Sequence, residues 1–372
     1  MIISGAVVLA ILGFSVFLAA QNNSSALKLD TGKEIFEAGC AACHGVDGKG
    51  APDSTVAFKK PRTFPDFTQC DQTTPEPNVD WKSTIHDGGK ARGFTRIMPS
   101  FGAMLTPEQI DKVVIYLRSL CTNDHWPRGE FNLPRAFATE KAFLEDETVL
   151  SSSFNVRGAP GITNDIIYEK RFGMRNQFEF DAPINLVRQQ PGQWFSGFGD
   201  VSMGVKHVLF ANLNKGSILS AQGGIILPTG NKSRGLGTGV TTFEVFGSFG
   251  QILPSETFIQ AQAGTLQPTD PDRHPRSAYW RVAVGKQLRQ SSGYGRLWTP
   301  MVEFVADRDF ATGAKTHWDV IPEFQVTLSA RQHVRFNTGL RIPASNTAGR
   351  STQVIFYILW DRFDGTLFEG WR

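Results

Sequence analysis

Residues 317–328 read His317-Trp318-Asp319-Val320-Ile321-Pro322-Glu323-Phe324-Gln325-Val326-Thr327-Leu328. Pro322, Phe324, Val326 and Leu328 share the side of Trp318, while Asp319, Glu323, Gln325 and Thr327 fall on the other. Side chains along an extended strand alternate between its two faces, so this spacing predicts a strand with one apolar and one polar face. The next run repeats it: His333, Arg335, Asn337 and Arg341 oppose Val334, Phe336, Leu340 and Ile342. Gln177-Phe178-Glu179-Phe180-Asp181-Ala182 alternates as well, continuing through Ile184 and Leu186.

Working outward, roughly twelve such segments can be counted, near 148–157, 165–173, 175–189, 198–212, 217–229, 237–253, 256–267, 277–289, 296–309, 316–329, 332–344 and 351–364. Turn signals separate them, among them Pro191-Gly192, Thr229-Gly230-Asn231, Pro268-Thr269-Asp270-Pro271 and Ser291-Ser292-Gly293. A soluble β-sandwich alternates in the same way and stays open as a third architecture. Three features favour a barrel in a membrane. The segments reach the length of about 9–11 residues that a tilted spanning strand needs. Their polar faces carry Arg, Glu, Asp and His, which suits a wet lumen. Trp280, Trp298, Trp318 and Trp360 are placed as girdle residues. After residue 20 no stretch is apolar enough for a spanning helix, and a closed barrel is the other structure that satisfies its own backbone in lipid. Lys206, Glu179, Asp181, Arg335 and Arg341 are expected in the lumen, each first as ordinary polar interior, and as solute contacts if the barrel is a pore.

The 372-residue chain has a formal net charge of +3, so charge alone points to no nucleic-acid partner. Residues 1–20 are apolar, with no Lys or Arg before Lys28, and read as a signal peptide cleaved near Ala19 or Ala20. A retained anchor is the alternative. Either way the remainder is exported.

Cys40-Ala41-Ala42-Cys43-His44 has the spacing of a c-type haem attachment site. The two thiols add across the haem vinyl groups and the adjacent imidazole is placed as an axial ligand. A redox or zinc CxxC pair that happens to precede a histidine is the bland reading. Cys70 and Cys121 are left over and, in an exported chain, invite a disulfide; two separate buried thiols are the alternative. Thr31-Gly32-Lys33-Glu34 predicts a capping box opening a helix that runs into the haem motif, and Thr106-Pro107-Glu108-Gln109 predicts a second. Behind the latter, Ile110, Val113, Val114, Leu117 and Leu120 recur on one helical face. A short helix is expected from Val79 to Asp87, with Asn78 as cap and Gly88-Gly89 as stop.

Between these helices lies Arg96-Ile97-Met98-Pro99-Ser100-Phe101-Gly102. With CxxCH and the final amphipathic helix, the run from about residue 31 to 121 resembles a class I cytochrome c domain of the bacterial small-cytochrome type. The resemblance implies one covalent haem c on Cys40 and Cys43, with His44 and Met98 as axial ligands of the iron. Met104 and His86 are the competing sixth ligands. It also implies a backbone carbonyl, from Pro52 or Pro61, holding the other imidazole nitrogen. With both axial positions filled, outer-sphere electron transfer is expected and oxygen chemistry is not.

Phe198-Gly199-Asp200-Val201-Ser202-Met203-Gly204-Val205-Lys206 and Ile226-Leu227-Pro228-Thr229-Gly230 resemble outer-membrane barrels associated with aromatic-degradation pathways. The chain departs from the usual aromatic terminus by ending Gly370-Trp371-Arg372. The whole resembles cytochrome–porin fusions of bacteria that oxidise extracellular ferrous iron. The expected fold class is α + β in two domains: signal peptide 1–20, an all-α class I cytochrome c domain 30–121, a linker 122–147 that packs, and an antiparallel transmembrane β-barrel of about 12 strands over 148–372. The expected function is electron transfer at the outer membrane, a conduit between an extracellular or lumenal partner, such as a metal donor, and soluble periplasmic carriers. A pore with the cytochrome as plug, sensor or docking module is the alternative. A domain of ~90 residues has a radius of gyration near ~12 Å, too large to enter a barrel of this size, so the cytochrome is expected at the periplasmic mouth.

Overall fold

The computed structural model describes residues 29–188, 192–291 and 294–362. The expected signal peptide 1–20 and the terminal Gly370-Trp371-Arg372 lie outside the described residues.

Five α-helices build the N-terminal domain: α1 Gly32–Gly39, α2 Ala41–His44, α3 Cys70–Thr73, α4 Asn78–Asp87 and α5 Pro107–Ser119. Both capping boxes form. The Thr31 hydroxyl accepts from the Glu34 N–H while the Glu34 carboxylate accepts from the Thr31 N–H, and Thr106 and Gln109 do the same for α5. Ile35 and Phe36 of α1 and Ile110, Val113, Val114 and Leu117 of α5 then bury one shared core. Where the two helices cross, a Cβ on Gly32 would sit 2.0 Å from the Lys112 carbonyl oxygen, so only glycine permits this approach. Asn78 is the first residue of α4 and Pro77 its cap, a correction to the expected cap. The Asn78 side chain instead accepts from Arg118 and Arg128, both at 2.9 Å, joining α5 to the connector.

The C-terminal domain is a closed antiparallel barrel. Its strand segments are β1 Glu147–Arg157, β2 Gly161–Phe172, β3 Asn176–Arg188, β4 Trp194–Phe198, β5 Val201–Asn212, β6 Ser217–Leu227, β7 Thr242–Leu253, β8 Thr257–Pro268, β9 Ser277–Lys286, β10 Leu288–Ser291, β11 Tyr294–Asp309, β12 His317–Thr327, β13 Val334–Pro343 and β14 Thr352–Asp361. β4 and β5 both pair with β3, and β9 and β10 both pair with β11, so each couple is one interrupted stave. Fourteen segments therefore make twelve staves, closed by pairing of β1 with β14. Along β12 the alternation is as the sequence requires: Trp318 and Phe324 face outward, while Asp319, Ile321, Gln325 and Thr327 are buried inside. Turns at one end are tight, at 173–175, 213–216 and 254–256, whereas loops at the other run over 228–241, 269–276, 310–316 and 344–351. Asp200 organises the longest of these: its carboxylate accepts from the Gly230 N–H at 3.0 Å and the Thr238 N–H at 2.7 Å. The two motifs around Asp200 and Leu227-Pro228-Thr229-Gly230 are thus one loop anchor.

The lumen is filled rather than wet through its middle, and what fills it is the connector. Phe131, Phe143 and Leu144 pack on Val208 and Ile218, and Leu133 packs on Phe258 and Met301. Glu303 of β11 accepts from the N–H groups of Phe137, Ala138 and Thr139, at 2.8, 3.0 and 2.7 Å, and from the Thr139 hydroxyl. Arg135 pairs with Glu169 at 2.7 Å, Glu147 at 2.8 Å and Glu140 at 3.2 Å. Lys141 pairs with Glu145 at 2.6 Å. Buried charges persist where each finds an opposite partner. Contacts join the helical domain to the residues between β12 and β13: Arg92 to the Arg331 carbonyl and Arg331 to the Gly93 carbonyl, both at 3.1 Å, and His333 to Glu76 at 3.1 Å.

Candidate functional site

α1 delivers the chain directly into Cys40, and α2 turns Cys43 and His44 inward. All three line a cavity of about 530 Å³ whose walls include Phe36, Phe64, Phe67, Trp81, Ile85 and Met98. Cys40 and Cys43 are free thiols. The Cys40 thiol is pushed up to about 11 by burial and by Cys43 beside it. His44 stacks on Phe64 with ring centroids 5.0 Å apart. Burial pushes its imidazole down to about 4, so it stands neutral, the form in which a ring nitrogen can bind a metal. Its Nδ1 is buried without a hydrogen-bond partner, so neither the Pro52 nor the Pro61 carbonyl accepts from it.

Met98 reaches the cavity because its loop is folded back on the end of α4. The Gly89 N–H donates to the Met98 carbonyl at 3.0 Å, and the Phe101 N–H donates to the Ile85 carbonyl at 3.0 Å. Met104 is 68% exposed and outside the cavity. His86 is also outside it, with Nδ1 2.6 Å from Asp87. Of the three sixth-ligand candidates, only Met98 is brought to His44. A disulfide joins Cys70 to Cys121, tying α3 to the end of α5.

A mostly apolar cavity with two free thiols, a neutral imidazole and a thioether on its wall fits a covalently attached haem. Cys40 and Cys43 would hold it through thioethers, and His44 and Met98 would take the axial positions.

Among the expected lumen residues, Lys206 is fully buried, with Nζ 3.7 Å from Glu140 and 3.9 Å from Glu169. Arg341 pairs with Asp319 at 2.7 Å on the wall nearer the long loops. Arg335 hydrogen bonds to the Gln332 carbonyl near the helical domain. Glu179 and Asp181 each keep a buried carboxylate oxygen without a hydrogen-bond partner. Sequence reasoning missed the partners of these groups, among them Arg135 and Glu140, and missed Arg92 and Arg362 on the wall of the haem cavity. The alternation of charge over Arg135, Glu140, Lys141 and Glu145 was the available signal for the connector; no local pattern marks Arg362.

Fold and site together define a two-part chain: a helical c-type haem domain followed by a closed twelve-stave barrel. Residues 29–121 match the cytochrome c family and form a cytochrome c domain, which implies covalently bound haem c. The barrel is similar to an outer-membrane channel from Pseudomonas putida F1, at 12% identity and TM-score 0.44 over 61% of this chain and 99% of that one. It is also similar to the KdgM porin (6%, TM-score 0.38, 58% of this chain and 99% of that one) and to LpxR from Salmonella typhimurium (8%, 0.38, 58% and 100%). At these values the likeness is one of barrel fold only. No curated protein matches the chain.

Proposed function

We infer that the protein transfers electrons at the outer membrane, through one haem c held at the periplasmic mouth of its barrel. The observation that carries this reading is that the cavity of Cys40, Cys43, His44 and Met98 is walled in part by Arg362, the residue that follows β14. This supports a haem domain built onto the cylinder rather than tethered to it. When bound, haem supplies one-electron ferrous–ferric chemistry. His44 and Met98 would ligate its iron, which would keep small molecules from the metal and leave electron exchange to the haem edge. Phe64 and Phe67 pack the His44 ring and keep water from it.

A bilayer location is supported by the outward faces, where Trp280, Trp298, Trp318, Phe304, Phe324 and Leu340 are exposed along a closed sheet. Barrels place short turns toward the periplasm and long loops outside. On that rule the cytochrome faces soluble periplasmic carriers, and the wall bearing Asp319 and Arg341 faces an extracellular partner such as a metal donor.

The filled lumen favours a second reading, a gated pore whose plug is the connector. Reconstitution separates the two. The haem-loaded chain is placed in liposomes that hold an oxidised impermeant dye, and an impermeant reductant such as ferrous iron is added outside. Dye reduction without leakage of a neutral solute, lost on Met98→Ala, is the result expected of a conduit. Haem reduction without dye reduction would overturn the conduit, and leakage alongside it would favour the pore.

A further inference from the structure

The charged lining of the haem cavity comes partly from the barrel. Haem carries its vinyl groups on one edge and its two carboxylates on the opposite edge. Once Cys40 and Cys43 have taken the vinyl edge, the carboxylates must meet the charged part of the lining. Among the described residues that part consists of Arg62, Arg92, Arg362, Glu76 and Asp80. Each acid already has a side-chain partner, Asp80 with Arg92 at 3.2 Å and Glu76 with His333 at 3.1 Å. The cations are less fully used. Arg92 is 5% exposed, and its Nε is buried without a partner. Arg62 is exposed to solvent. Arg362 lies over the Tyr168 ring at 4.7 Å and donates to the Glu147 carbonyl at 3.3 Å, and among the described residues no carboxylate pairs with it. Its backbone N–H donates to the Asp146 carbonyl at 2.8 Å, which fixes it to the barrel mouth.

We propose that Arg362 donates to a haem carboxylate, with Arg92 lining the same cavity, so that the barrel completes the cofactor site of the cytochrome. This rests on the reading that the cavity holds haem c. A planar guanidinium matches a carboxylate in a way an ammonium does not. Through Arg92, which also donates to the Arg331 carbonyl, the same contact would fasten the two domains to each other once haem is attached.

The test uses the full haem-loaded chain in detergent, with Arg362→Gln, Arg362→Lys and, as a control at the same junction, Arg171→Gln. Arg171 donates to the Asp71 carbonyl but does not line the cavity. Haem staining of a denaturing gel first reports covalent attachment. Loss of a nearby cation favours the ferric state, so Arg362→Gln is expected to shift the ferrous–ferric equilibrium about tenfold toward ferric, a fall of about 59 mV for one electron. Arg362→Lys is expected to keep the potential yet move the propionate bending mode in resonance Raman, because the donor changes while the charge stays. Arg171→Gln is expected to alter neither. A wild-type potential in Arg362→Gln, or an unmoved propionate mode in Arg362→Lys should the glutamine variant fail to fold, overturns the proposal while leaving haem binding intact. Absence of stained haem in the unsubstituted chain would overturn both.

Discussion

Arg135 of the connector stands 2.7 Å from Glu169 of β2, with Glu169 wholly buried, inside the barrel rather than between the domains. A residue that precedes the first strand has entered the cylinder that those strands close. The connector therefore acts as part of the barrel core.

Arg135→Met should be severely destabilising. It leaves Glu140, Glu147 and Glu169 without their shared cation, and breaking a buried pair costs about 3–5 kcal/mol. The expected outcome is loss of the compact, heat-modifiable band on cold gel electrophoresis. Adding Glu147→Gln and Glu169→Gln to Arg135→Met should restore much of it.

Glu303→Ala should loosen the connector without unfolding the barrel. The carboxylate accepts from three successive N–H groups, and a hydrogen bond to a charged group contributes about 1.5–3 kcal/mol. Liposome swelling with a small sugar is expected to rise above the unsubstituted level. Glu303→Gln retains one acceptor oxygen and should fall between them. Equal swelling rates for all three proteins would mean that this contact does not hold the plug.

Met98→Ala should leave haem covalently attached but lower its potential. Axial ligands span roughly 0.8 V across haem proteins, and loss of the thioether removes the ligand that favours the ferrous iron. Potentiometry with optical spectra is the measurement. Met104→Ala and His86→Ala, both outside the cavity, are expected to match the unsubstituted protein.

Replacing both Cys70 and Cys121 by Ser should destabilise the helical domain by about 4 kcal/mol on loop-entropy scaling, for a sequence separation of 51. The haem-band midpoint in guanidinium chloride reports it, and barrel mobility on gels should be unchanged.

Asp200→Ala should free the loop over 228–241, since the Gly230 and Thr238 N–H groups lose their acceptor. Protease added to intact liposomes or cells is expected to cut there faster, with the haem potential unaltered.

Much of this was legible locally. The haem motif is five contiguous residues, and both capping boxes lie within four. The alternation that predicts β12 depends only on neighbours two apart, so twelve segments were countable and twelve staves form. The reading of Asn78 as a cap failed because a side chain two strong donors can reach, here Arg118 and Arg128, is drawn away from its own helix end. A wet lumen was inferred from charge on the inner face, yet those charges mark partners as well as water, and the partners lie on a segment distant in sequence.

The sequence by itself determined the strand count, the haem chemistry and the order of the two domains, because each follows from short-range periodicity or from the covalent chemistry of adjacent side chains. Only the tertiary structure decided that the connector fills the barrel, that Met98 and not Met104 or His86 lines the cavity of His44, and that Arg362 walls that cavity. The Met98 outcome depends on its loop folding back on the end of α4; the other two depend on barrel closure, which brings the ends of β1 and β14 together and sets Arg362 beside residues far away along the chain.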